Sequence, residues 1–95
     1  MRYSWDAAKS EVNLRERGFD FAFATLIFDG PTVVGEDRRR DYAERRFVAI
    51  GVADGLHLTV VFTDRVRADG ELTRWIISAR RSNRRERQVY EQHVT

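Results

Sequence analysis

The 95 residues contain no cysteine. That absence removes disulfides, thiolate metal sites and a thiol nucleophile, and it fits a reducing compartment. Histidine is scarce: His57 and His93 are the only two, and no group of His, Asp and Glu has metal-ligand spacing. Lysine is reduced to Lys9, so sixteen of the seventeen basic residues are Arg. No apolar run approaches the roughly 20 residues that cross a bilayer. No signal peptide is visible either, since residue 6 is already Asp and no apolar stretch follows. The expectation is a cytoplasmic protein with no cofactor, no metal and no membrane contact.

What is present describes one domain over residues 1–95. A chain of this length buries roughly 60–70% of its unfolded surface, enough for one modest core. Hydrophobic residues make up 42% and charged residues 34%, a globular balance. The net charge is only +2, but it is unevenly placed: residues 78–90 hold five Arg against one Glu. Codon usage is the bland source of an arginine excess. Guanidinium forks that recognise phosphate are the chemical one, and an uneven basic stripe points to a nucleic-acid partner more specifically than net charge does.

Along the chain, Met1 to Trp5 alternates as a short strand, and Asp6 caps a helix over Ala7 to Arg17 that Gly18 ends. Asp20 caps a second helix over Phe19 to Asp29, whose Phe21, Ala24, Ile27 and Phe28 form one apolar face. Asp29-Gly30-Pro31 is a stop-and-turn signal, Thr32 to Gly35 a short strand, and Glu36 to Glu44 a charged loop or projecting hairpin end. Three strands follow, Arg45–Val52, Leu56–Thr63 and Leu72–Ala79, with hairpin turns at Asp54-Gly55 and Asp69-Gly70. Ser82 or Asn83, with Glu86 near capping-box spacing, starts a last helix, Arg84 to Gln92. The order is β-α-α-β-β-β-β-α. It predicts a small α+β domain: an antiparallel sheet with two N-terminal helices on one face, and a C-terminal helix. Trp5, Phe21, Phe28, Phe47, Phe62, Trp75 and Ile77 are the expected core.

These residues also carry a resemblance. Trp5-Asp6-x-x-Lys9-x-x-x-Asn13, Arg17-Gly18-x-x-Phe21-x-x-Ala24, Phe28-x-x-Pro31, Glu44-x-Arg46-x-x-x-x-Gly51 and Thr63-x-Arg65 are similar to the BrnT toxin family. So are Arg74-x-Ile76-Ile77-Ser78-Ala79-Arg80-Arg81 and Arg84-Arg85-Glu86-Arg87-x-x-Tyr90. The match runs in order over nearly the whole chain. It implies a RelE-like domain and a small bacterial endoribonuclease toxin. It also implies a cognate BrnA-like antitoxin with a ribbon-helix-helix DNA-binding domain, so that DNA is met only through the antitoxin. Exposed sheet edges leave room for a toxin homodimer within a toxin–antitoxin heterotetramer, or for a strand added by the antitoxin. One departure stands out: most members carry Lys-His-Gly at the end of the first helix, and here it is Glu16-Arg17-Gly18. Arg17 keeps the charge but is no base near neutral pH.

Cleaving RNA without a metal requires a proton to leave the ribose 2′-OH, the pentavalent phosphate to be stabilised and the 5′-oxygen to be protonated. Acid–base groups contribute roughly 10²–10⁴-fold, and electrostatic stabilisation of the developing charge often contributes more. An Arg-rich site without a histidine pair relies on the latter. The catalytic candidates are Arg65 and Arg80 as a joint phosphate clamp, both expected towards the turn end of the Leu56–Thr63/Leu72–Ala79 hairpin. Glu44 is a candidate base or a carboxylate that orients an arginine, and Tyr90 is a candidate for stacking or phosphate contact. RNA-binding candidates are Lys9, Asn13 and Arg17 on one helix face, with Arg46, Arg81, Arg84 and Arg85. The competing readings are a salt bridge for Arg80, packing against the sheet for Tyr90, and solvated helix faces for the remaining charges. His57 reads as structural. The alternative to a nuclease is a non-catalytic basic module, a degenerate toxin kept for its antitoxin complex and promoter repression.

Overall fold

The computed structural model describes residues 1–94. Its elements are β1 (Arg2–Trp5), α1 (Ala7–Arg17), α2 (Phe21–Ala24) continued by a 3₁₀ segment (Thr25–Asp29), β2 (Val33–Asp37), β3 (Arg46–Ala53), β4 (Leu56–Val66), β5 (Leu72–Arg81) and α3 (Arg84–Val94). The five strands form one sheet in the order β1-β5-β4-β3-β2.

The α+β class and element order are as expected, but the sheet is mixed rather than antiparallel. β1 runs parallel to β5, Tyr3 opposite Arg74 and Trp5 opposite Ile76. A parallel pair needs a long crossover, and here everything between the first and last strands serves as one. β2, β3, β4 and β5 form the antiparallel meander. The turns follow their residues: Asp54 and Gly55 both take positive φ (47° and 80°), the two-residue hairpin geometry, and Gly70 does so at 85°.

Local chemistry fixes the helices. The Asp6 carboxylate accepts from the Lys9 N–H at 3.1 Å, and Gly18, left-handed at φ 86°, closes α1. The buried Ser10 hydroxyl then accepts from the Phe21 N–H at 2.9 Å, and the Asn13 amide donates to the Phe19 carbonyl at 2.9 Å. The second helix starts at Phe21, not Phe19, because the Asp20 side chain caps it from outside (Phe23 N–H, 2.8 Å). It is also only one α-turn long before it tightens to 3₁₀. There Ile27 presses onto β3 at Gly51, where an added Cβ would lie 2.8 Å from the Ile27 Cβ.

The core lies between these helices and the sheet: Phe19, Phe21, Ala24, Ile27, Ala49, Leu58, Val60, Phe62, Ile76 and Ala79. Trp5, Phe28 and Phe47 pack on it half-buried, whereas Trp75 and Ile77, both expected in the core, do not join it. The cause is a β-bulge. Val61 pairs with Ser78 but Phe62 with Ile76, so Ile77 is an extra residue. Ile76 and Ala79 are three apart and both face the core only because of it. The same bulge puts Trp75, Ser78 and Arg80 together on the opposite face. α3 covers only one end of that face, against β2 and β3. The rest of it is open.

Candidate functional site

Pairing across the strands identifies the residues of the open face: Thr59, Val61, Thr63 and Arg65 from β4, Thr73, Trp75, Ser78 and Arg80 from β5, Val48 and Arg46 from β3, and Asp37 from β2. At the α3 end they line a groove of about 370 Å³. Val48, Val61, Ser78 and Thr59 make its floor, and Arg80 and Glu86 stand opposite Asp37 and Arg39.

Arg80 sits at the end of β5, where a strand holds it rigidly. Glu86 grips it end-on, Nη1–Oε1 2.7 Å and Nη2–Oε2 2.8 Å. Glu86 also completes a capping box: its carboxylate accepts from the Asn83 N–H, and the Asn83 side chain accepts from the Glu86 N–H, both at 2.8 Å. Asn83, not Ser82, is therefore the cap; the Ser82 hydroxyl is buried against that of Thr59 at 2.8 Å. The Arg80 hydrogen bond holds the Glu86 carboxyl below the usual range although desolvation opposes it. The same bond raises the basicity of Arg80, while desolvation and the nearby Arg39 charge work against it.

Arg39 comes from the charged loop, which folds back over the face instead of projecting. Its guanidinium is bidentate to Asp37 (2.9 and 3.0 Å), the Arg39 N–H adds a third bond to that carboxylate and the Tyr42 hydroxyl a fourth. These bonds, the Arg39 side chain's foremost, pull Asp37 down to about 2. The Asp37 side chain is 2% exposed while that of Arg39 is 77% exposed, so the anchor is buried and the guanidinium it holds faces solvent. The sequence marks Glu36 to Glu44 only as a charged loop or projecting hairpin end. The available signal was Asp37-x-Arg39, acid and base two apart at a strand end, too common to single out.

Arg65 and Arg80 do not form one clamp. β4 and β5 pair around Asp69-Gly70 as expected, but Arg65 lies opposite Thr73 beside the turn and Arg80 opposite Thr59 at the far end. The strand from Thr59 to Arg65 runs roughly 20 Å at the usual rise per residue. Arg65 is instead held by Glu44 (3.1 and 3.3 Å) with its guanidinium 4.6 Å from the Trp75 ring centre. Glu44 thus orients Arg65 and is remote from Arg80. Between the two ends lies Arg46, stacked on Tyr42 at 4.2 Å and with no carboxylate partner among the described residues.

The other candidates separate cleanly. Tyr90 is buried under α3, its hydroxyl donating to the Pro31 carbonyl (3.1 Å) and its ring edge-on to His57, so it does not reach the groove. Asn13 is buried and spent on Phe19. Arg17 donates to the Ala79 carbonyl at 2.7 Å and to Asn13 at 3.3 Å, pinning α1 to β5. Lys9, Arg81, Arg84 and Arg85 are exposed; Arg81 pairs with Leu58 on the covered side of the sheet. His93 bonds the Val89 carbonyl of its own helix. Among the described residues no three His, Asp or Glu are placed to hold a metal ion, and no helix is long and apolar enough to cross a membrane.

The model of a family described as the ribonuclease toxin, BrnT, of type II toxin–antitoxin systems matches residues 5–86. Among curated proteins nothing matches.

Proposed function

The chain belongs to the BrnT family of type II toxin–antitoxin ribonuclease toxins, and on that premise we propose a metal-independent endoribonuclease whose phosphate site is the groove between Arg80 and Arg39. The family implies an RNA substrate and an antitoxin partner. In this reading the antitoxin is of the BrnA type, covers the open face, and carries the complex to DNA; both partners act in the cytoplasm.

The observation that carries the reading is the groove itself: two guanidiniums on facing walls, each fixed by a bidentate carboxylate, with an uncharged floor between them. In cleavage the 2′-oxygen attacks phosphorus in line and the bond to the 5′-oxygen breaks. A 2′,3′-cyclic phosphate and a 5′-hydroxyl result. Negative charge grows on the non-bridging oxygens, where Arg80 and Arg39 place preorganised donors. Glu86 is a positioning residue, because its lowered pKa makes it a weak base at neutral pH. The proton of the 2′-OH and that of the leaving oxygen are exchanged with water in the open groove.

A second reading rests on a specific observation. Each of Arg80, Arg65 and Arg39 already has a carboxylate partner, and neither histidine reaches the groove. That suits a binding module without catalysis. The test is RNA cleavage by the purified, antitoxin-free chain in EDTA, beside Arg80→Ala and Arg39→Ala of verified fold. Cleavage by the native chain that both variants lose supports the nuclease. Intact salt-sensitive RNA binding without cleavage, with or without added ribosomes, supports the module.

A further inference from the structure

We infer that the far end of the open face, built on Arg65 and Trp75, is a nucleobase-stacking site that holds single-stranded RNA several nucleotides from the Arg80 groove. The inference rests on RNA being the substrate and extends that reading to how the strand lies.

Arg65 has an unusual setting for a surface arginine. One face of its guanidinium rests on the Trp75 ring, 4.6 Å from the centroid. Its edge is fixed by two hydrogen bonds to Glu44. The side chain remains 46% exposed. A guanidinium backed by an indole and locked in its plane by a carboxylate presents its other face to solvent. Such planes stack bases without choosing among them, as aromatic rings do.

The surroundings complete a cleft of about 500 Å³, lined by Arg2, Ser4, Arg67, Thr73 and Trp75 beside Arg65. Arg2 and Arg67 touch carboxylates only loosely, at 3.6 Å each, which leaves cations for flanking phosphates. The Thr73 hydroxyl has no hydrogen-bond partner among the described residues. Arg46 stands between this cleft and the groove on the same face. The two ends are roughly 20 Å apart along β4, too far for one nucleotide and suited to a short extended strand. The β5 bulge puts Trp75 and Arg80 on one face, so a single strand can touch both.

The test is binding, measured by fluorescence anisotropy with labelled 2′-O-methyl RNA that cannot be cleaved. An oligonucleotide of about eight residues spans both ends, and a dinucleotide spans one. Arg65→Lys keeps the charge and loses the plane; Trp75→Phe keeps a smaller ring in case a deeper truncation fails to fold. Arg65→Lys is expected to weaken the longer RNA about tenfold and Trp75→Phe less, while the dinucleotide is unaffected. In a Trp5→Phe background the longer RNA should quench the emission of Trp75. Equal losses for both RNAs, or a change under twofold for the longer one, would overturn the site. Binding of this pattern by a chain that cleaves nothing keeps the site and removes the nuclease. Binding of neither RNA by the native chain removes both.

Discussion

The two faces of the sheet treat neighbouring residues differently. Arg74 and Asp64 lie on the helix-covered face, paired at 2.8 and 3.0 Å, with side chains only 19% and 28% exposed. The Arg74 guanidinium caps the aromatic cluster, 4.1 Å from the centre of Phe62 and 4.7 Å from that of Phe28. On the open face Arg80 and Arg65 are also bidentate to carboxylates, at 2.7 and 2.8 Å and at 3.1 and 3.3 Å, yet each keeps 46% of its side chain exposed. One arginine closes a core and the others are held out to solvent. Pairing alone therefore does not separate an arginine that closes a core from one held out to solvent; what lies over the guanidinium does.

The largest expected effect breaks the comparison at its sharpest point. Arg80→Ala should lower cleavage at least a hundredfold, the scale of losing one preorganised donor at a developing oxyanion, while the thermal midpoint stays near native. Arg74→Ala should do the reverse. Removing one partner of a largely buried pair, together with its stacking, should cost about 2–3 kcal/mol, with cleavage per folded molecule preserved. Urea unfolding and a cleavage assay on the same preparations check both. If Arg74→Ala lost activity at full stability, the division between the faces would fail.

Next in size is a change confined to the covered face. Gly51→Ala puts a methyl 2.8 Å from the Ile27 Cβ and 3.1 Å from Thr32 Cγ2. The 3₁₀ segment has to lift from the sheet, at about 1–3 kcal/mol. Unfolding should shift accordingly, with RNA affinity unchanged, because the open face lies on the other side of β3.

Much of this division was legible in the sequence, and the rest has physical reasons for hiding. Asp6, Gly18, Asp20, Asp54-Gly55 and Asp69-Gly70 act locally, so caps and turns stand where their residues dictate. The parallel partner of β1 is set by tertiary closure, which no local pattern encodes. The bulge at Ile77 was concealed because Trp75-Ile76-Ile77 reads as a continuous apolar run, and one extra residue reverses the face of everything before it. Hence Trp75 looked like core. Arg65 and Arg80 were both recognisable as strand-end arginines, but register decides which end, and β4 outruns its apolar stretch through Asp64, Arg65 and Val66. Arg39 depends on a loop folding back, which its composition does not announce.

The smallest predicted effect concerns acid. Asp37, at about 2 against an ordinary 3.8, and Glu86, also lowered, both anchor open-face arginines and are both depressed by those hydrogen bonds. A carboxylate whose folded pKa lies below its unfolded value stabilises the fold fully above the unfolded value, and that contribution drains as pH falls through the folded one. Between pH 7 and about 5 these two groups should leave stability flat; from about 4 towards 2 they should erode it. Asp37→Asn removes one source of that slope, so its unfolding free energy should start lower at neutral pH and fall less steeply with acid. Urea titrations at stepped pH measure it, and curves that stay parallel to the native chain's down to pH 2 would show that Asp37 is not bonded to Arg39 as described. Because the same carboxylates orient Arg39 and Arg80, acid loosens the forks of the open face while the covered face is still packed. The two faces should therefore part in order: RNA affinity loses its dependence on Arg39 at a pH where the core has not yet opened.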